Sequence, residues 1–138
     1  GGQTLSRILE EGHERLHGAA LVLGAQTDLP LLRETLCQIG YRIRQEQPVE
    51  ESGRYYLLMQ CTPAEDGEPA YDERQLLLGP VLLREHPPLW RDMLERRERL
   101  LQSAVSSMEQ AKTPVDGEQL ALYRREMDYV RQALQLFE

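Results

Sequence analysis

The chain has 138 residues, 41% of them hydrophobic and 28% charged, which bounds it to one domain, or a small domain with an appendage, and excludes a disordered chain. No apolar run approaches the roughly 18 residues of a spanning helix, and Gly1-Gly2-Gln3-Thr4 carries no basic-then-apolar export signal, so a cytoplasmic protein is expected. A net charge of −7 argues against nonspecific nucleic-acid binding by the chain as a whole.

Leu5, Ile8 and Leu9 recur at helical spacing, and Gly12 follows as a C-terminal cap, which predicts a short helix near 3–11. Ala19–Leu23 is a continuous apolar run ended by Gly24, the pattern of a strand buried on both faces. Asp28 is placed to cap a helix opening at Leu29-Pro30, whose face is Leu32, Leu36 and Ile39 and whose end is Gly40. Tyr41–Glu50 alternates, with Tyr41, Ile43 and Gln45 on one side and Arg42, Arg44 and Glu46 on the other; Pro48 ends it and places it at a sheet edge. Glu51-Ser52-Gly53 is a turn, and Arg54–Cys61 returns as the more buried arm of an antiparallel hairpin. Thr62–Ala70 is a loop by composition.

Tyr71–Glu85 is apolar enough to be buried and is broken by Gly79-Pro80, a seam between alternating strands and helices before it and helix alone after it. Pro87-Pro88 opens a long helix in which Leu89, Met93, Arg97, Leu100, Ala104 and Met108 step by fours and threes, with Leu94, Leu101 and Val105 beside them. Lys112–Gly117 is a turn, and Leu120, Tyr123, Met127, Val130, Leu134 and Phe137 form a heptad seam. Two such helices joined by a short turn pack as an antiparallel hairpin.

Only three strands are predicted, and nothing upstream supplies a neighbour for the outer edge of the run at 19–23, an edge that is a liability if left bare. With this pattern on the page, the chain resembles class I S-adenosylmethionine-dependent methyltransferases, whose seven-stranded sheet ends in a hairpin with its last strand inserted, antiparallel, between strands five and six. More narrowly it is similar to the C-terminal part of the bacterial tRNA (adenine-22-N1)-methyltransferase family. Gly1-Gly2-Gln3-Thr4-Leu5 with Ile8-Leu9-Glu10 resembles the end of that family's Gly-Met-Gly-Gly loop and its following helix. Leu21-Val22-Leu23 matches its fifth strand and Glu50–Tyr56 its terminal hairpin turn; Leu78-Gly79-Pro80-Val81-Leu82-Leu83-Arg84-Glu85 matches its Gly-Pro-x-Leu-x-x-Glu joint into a coiled-coil domain. Gly24-Ala25 stands where the family usually has Gln-Pro, a departure at a loop bordering the active site.

The resemblance implies an α/β fold, the C-terminal half of a Rossmann-like sheet over residues 1–85, followed by a coiled-coil-like helical hairpin over 86–138. The family's glycine-rich cofactor loop and acidic ribose-binding residue would lie upstream of Gly1, so this chain alone is expected neither to hold S-adenosylmethionine well nor to catalyse transfer. The resemblance assigns Gly1 and Gly2 to a loop near cofactor and target base, although such glycines also occur as remnants of an expression tag. Gln26 and Thr27, following the strand at 19–23, face the crevice where open α/β sheets bind ligands. It implies tRNA as partner, with Arg84, Arg91, Arg96, Arg97, Arg99, Arg124 and Arg125 contacting phosphates; helix-surface ion pairs account for the same residues.

Fifteen of the sixteen basic residues are arginine, and residues 84–101 carry five of them against four acids, whereas residues 1–83 carry seven against thirteen. A compositional bias toward arginine explains the first figure as well as phosphate binding does. His13-Glu14-Arg15-Leu16-His17 spells the zinc-protease H-E-x-x-H, but Gly12 and Gly18 bracket it, and the loop reading is preferred. Cys37 and Cys61 form no C-x-x-C and are expected to be reduced. Trp90 is expected to anchor the seam between the two parts, and Tyr55 and Tyr56 to sit in the sheet. The competing reading is a stand-alone, non-enzymatic α+β module that uses its helical hairpin to bind other proteins. Under either reading the bare edge near 19–24 is expected to find cover from another copy or from the helical hairpin.

Overall fold

A computed structural model describes all 138 residues. They divide into two compact units, Gly1–Pro87 and Pro88–Glu138. The first contains α1 (Gly2–Gly12), β1 (Leu21–Ala25), α2 (Leu29–Gln38), β2 (Tyr41–Glu51), β3 (Arg54–Pro63), α3 (Glu73–Leu78) and α4 (Pro80–Glu85). The second contains α5 (Pro88–Glu109) and α6 (Gly117–Gln135).

The sheet order is β1-β3-β2, and β3 runs antiparallel to both neighbours. The strands β1 and β2 are therefore parallel to one another with the return arm between them. The hairpin closes through Ser52 and Gly53, both at positive φ (53° and 77°), the pairing that matches strand twist in a two-residue turn. Leu57, Met59 and Cys61 of β3 are fully buried, and α2 and α4 pack against β2.

The apolar run lies two residues later than predicted and is not buried on both faces. Leu21, Leu23 and Ala25 face the core, whereas Val22 is 72% exposed and Gly24 lies open beside Leu58. Alternate residues of β1 are therefore shielded on one face only, and along its edge β1 pairs with β3 alone. Gly24-Ala25 lies inside β1, paired with Leu58 and Leu57, rather than in a loop. Gly12 is the last residue of α1, not its cap; the chain continues into a 3-10 turn at His13–Arg15.

The largest departure is in β2. Its alternation breaks at Arg44, an extra residue between Ile43, paired with Cys61, and Gln45, paired with Gln60. Past the bulge the parity inverts, so Glu46 and Pro48 turn inward and β2 runs on to Glu51. The Ile43 N–H donates to the Tyr71 hydroxyl (2.8 Å). Around the bulge, Arg42 donates to the carbonyls of Pro69 and Glu68, and its guanidinium lies over the Tyr71 ring. Arg44 grips Glu68 with two bonds of 2.8 and 2.7 Å.

Those two bonds, with the Glu65 amide as a further donor, hold the Glu68 carboxyl down at about 2. A depressed carboxylate contributes stability that is complete above its ordinary value of 4.5 and is lost as pH falls toward about 2. Thermal melts of Glu68→Gln are expected to start below the parent at pH 7, and the gap to close through that acid window. A constant gap down to the lowest pH would exclude Arg44–Glu68 as the linkage.

Inward-turned Glu46 meets Arg33 of α2, with Nε to Oε2 at 3.1 Å and side chains only 0% and 2% exposed. Each end of the pair also serves a helix terminus. Arg33 Nη1 donates to the carbonyls of Leu76 and Leu77 at the end of α3, while Glu46 Oε1 accepts from the amides of Val81 and Leu82 at the start of α4. A cation at a C-terminus and an anion at an N-terminus both complement the peptide dipoles. Gly79 separates the two helices at φ 109°. A Cβ there would lie 2.7 and 2.9 Å from the Glu46 oxygens, which is why the residue before Pro80 has no side chain.

The helices of the second unit are antiparallel, since Arg124 pairs with Glu109 and Arg131 with Glu98. Asp116 caps α6 by accepting from Glu118 and Gln119. The buried stripe of α5 is Trp90, Leu94, Leu101 and Val105, the row expected beside the Leu89–Met108 one; Leu100 of that first row is 58% exposed. Met127, Val130 and Ala133 face it from α6. Arg97, expected in the apolar stripe, instead makes a bidentate pair with buried Glu126 across the hairpin. Trp90 packs edge-on against Phe137 of the same unit, at 5.9 Å between ring centres.

Candidate functional site

Two of the regions singled out from sequence meet at one place. The Gly2 amide donates to the Thr27 carbonyl (2.9 Å), so the start of α1 abuts the turn leaving β1. A Cβ on Gly2 would overlap the Thr27 and Asp28 carbonyls, and one on Gly1 would overlap the Thr27 hydroxyl. Only glycine admits so close a backbone approach. Gly1, Gln26 and Thr27 are exposed and Gly2 is buried. Asp28 occupies the N-cap of α2 at φ 54°, but its side chain makes no capping bond. No side chain caps α1 either; the Gly2 amide of its first turn is taken up by the Thr27 carbonyl instead.

The histidine motif does not form a helical ligand pair. His13 lies in the 3-10 turn with Nδ1 at the Glu10 carbonyl, and His17 is past it at φ 51°. Two ligands one helical turn apart require continuous α-helix between them. Both cysteines are free, and burial pushes the Cys61 thiol up to about 12, which makes it a core residue rather than a nucleophile.

The arginines sort by what they touch. Arg84 lies 3.6 Å from Glu85, Arg91 pairs with Glu95, Arg97 with Glu126 and Arg124 with Glu109. Arg96 and Arg125 also have partners. Arg99 is exposed and projects from α5 beside Arg131 of α6. Sequence reasoning passed over Arg131, whose Nε pairs with Glu98 and whose Nη2 donates to Gln102 (2.9 Å). It also passed over Arg33 and Glu46. The available signal was a charged residue inside an apolar helix face, at Arg33 between Leu32 and Leu36.

The sequence model of the tRNA (adenine(22)-N(1))-methyltransferase family matches residues 1–127. The chain belongs to this family. No curated protein matches it. Among solved structures, the B. subtilis m1A22 tRNA methyltransferase TrmK is 23% identical and superimposes with a TM-score of 0.83 over 97% of this chain and 59% of its own. M. capricolum TrmK, solved with S-adenosyl-homocysteine, is 16% identical with a TM-score of 0.73, covering 100% of this chain and 57% of its own. A Streptococcus pneumoniae protein solved with S-adenosyl-L-methionine is 23% identical with a TM-score of 0.77, covering 97% and 56%. At these identities the likeness establishes the mixed α/β fold of Rossmann-type methyltransferases. The chain spans less than three fifths of the length of these structures. No helix is long and apolar enough to cross a membrane.

Proposed function

We propose that this chain is the C-terminal part of a tRNA adenine-N1-methyltransferase, with residues 1–85 completing a Rossmann-like sheet and residues 86–138 forming an arm that holds tRNA. The observation that carries this is the order β1-β3-β2 with an unpaired outer edge on β1, in a chain whose family match runs from residue 1 to residue 127. A strand edge of this kind recruits another strand. In the whole enzyme that strand would come from the preceding half, and in the isolated chain from a second copy.

S-adenosylmethionine, when bound, supplies an electrophilic methyl group. Gly1, Gly2, Gln26 and Thr27 would border one side of its pocket, offering close backbone approach, helix-start amides and a hydroxyl. These groups suit the rim of such a ligand; they include no acid of the kind that holds a ribose. The chain's own contribution to transfer is to wall the rear of the site and keep an extruded adenine in line with the methyl donor. Arg84, Arg91, Arg96, Arg97, Arg99, Arg124 and Arg125 would place the tRNA.

The expected result of a methylation assay is no N1-methyladenine in a tRNA transcript incubated with this chain and S-adenosylmethionine, and activity when the chain is joined to the N-terminal portion of a relative. Turnover by the chain alone overturns the proposal.

A further inference from the structure

Between α5 and α6 lies an open concavity of about 410 Å³ lined by Glu98, Arg99, Gln102, Ser103, Ser106 and Arg131. Each lining side chain carries a polar group, set on aliphatic stems. Arg131 is held by Glu98 (3.2 Å) and Gln102 (2.9 Å), and Gln102 in turn donates to Ser106 (3.1 Å), so one guanidinium is fixed in orientation before any ligand arrives. Arg99 makes none of the ion pairs that occupy Arg91, Arg97 and Arg124 and is available to a ligand. Two guanidiniums against one carboxylate leave the groove net positive in a chain of charge −7.

We infer that this groove seats a phosphodiester of RNA, with Arg99 and Arg131 as cationic donors and Ser103 and Ser106 as hydroxyl donors. Planar guanidiniums match two phosphate oxygens at once, and hydroxyls complete the shell without adding charge. The inference rests on the tRNA-holding role proposed for the arm and names where one phosphate sits. It also moves the weight from Arg91, Arg97 and Arg124 to Arg99, with Arg131 held beside it by Glu98 and Gln102.

The test is binding of a labelled tRNA transcript to the 138-residue chain, followed by fluorescence anisotropy from about 50 to 200 mM salt, where phosphate contacts set the slope. Arg99→Ala should weaken binding several-fold and reduce the salt slope by about 1. Ser103→Ala with Ser106→Ala should weaken binding while leaving the slope intact, since hydroxyls displace no counterions. Lys112→Ala, which removes one positive charge outside the groove, should change neither. All four positions are on the surface, and circular dichroism checks that the hairpin is retained. Unchanged affinity and slope in Arg99→Ala overturn the seat, as does equal loss in Lys112→Ala. Full displacement of RNA by millimolar inorganic phosphate identifies a free-anion site instead and overturns it too. No RNA binding by the parent chain also overturns it, while the methyl-donor side of the proposed function is judged separately by calorimetry.

Discussion

Replacing Arg33 by methionine is expected to destabilise the first unit by about 3–5 kcal/mol, the cost of leaving a buried carboxylate without its counter-charge. The Glu46 side chain is fully buried and Arg33 is its only cationic partner, so water cannot substitute for the lost guanidinium. The carbonyls of Leu76 and Leu77 lose their donor in the same step. Hydrogen exchange reads the effect residue by residue: the amides of Leu57 and Met59 in the central strand should lose protection by the corresponding free energy. Arg33→Met combined with Glu46→Leu should recover much of it, because an apolar pair of similar volume leaves no charge to solvate. A single substitution costing under about 1 kcal/mol would show that the pair does not organise this core.

Gly79→Ala is expected to cost about 2–3 kcal/mol, for two separate reasons. An L-residue is strained at φ 109°, and the added methyl would sit 2.7 and 2.9 Å from the Glu46 oxygens and 3.0 Å from Arg33 Nη2. Their side chains are held in place: Glu46 Oε1 accepts from Val81 and Leu82, Oε2 accepts from Arg33 Nε, and Arg33 Nη1 donates to Leu76 and Leu77. The loss should be greatest in protection of the Val81 and Leu82 amides, which depend on Glu46 directly. Alanine at Gly117, where a Cβ would meet nothing within 4 Å, is the comparison and should cost far less.

Much of the fold could be read from residue order. Gly79-Pro80 marked a real break, the Ser52-Gly53 turn set the hairpin, and the helices of the second unit follow their spacing. What could not be read is what the bulge at Arg44 controls. One inserted residue inverts the side-chain parity of everything after it, so Glu46 was assigned to the polar face and became the core carboxylate. No pattern in Tyr41–Glu50 announces that insertion, because Arg42, Arg44, Gln45 and Glu46 are all polar and the alternation reads acceptably in either register. Arg33 was missed for a related reason: its significance depends on a partner thirteen residues away and on two carbonyls at one helix end more than forty away. The meeting of Gly2 with Thr27 was likewise a tertiary fact. Both segments were singled out from sequence, but on unrelated grounds.

The choice between the two expected rows of α5 has a simpler origin. Leu89, Leu100 and Leu101 offer two overlapping apolar faces, and Trp90, the largest apolar side chain, selects the one that buries it. Arg97 is carried to the rim of that face, where Glu126 meets it.

The most direct measurement on the proposed division of labour is isothermal titration of the 138-residue chain with S-adenosylmethionine. The expected trace shows no saturable heat, since under the proposed function Gly1, Gly2, Gln26 and Thr27 would border only one side of the methyl-donor pocket. Tight, stoichiometric binding to this chain alone would contradict it.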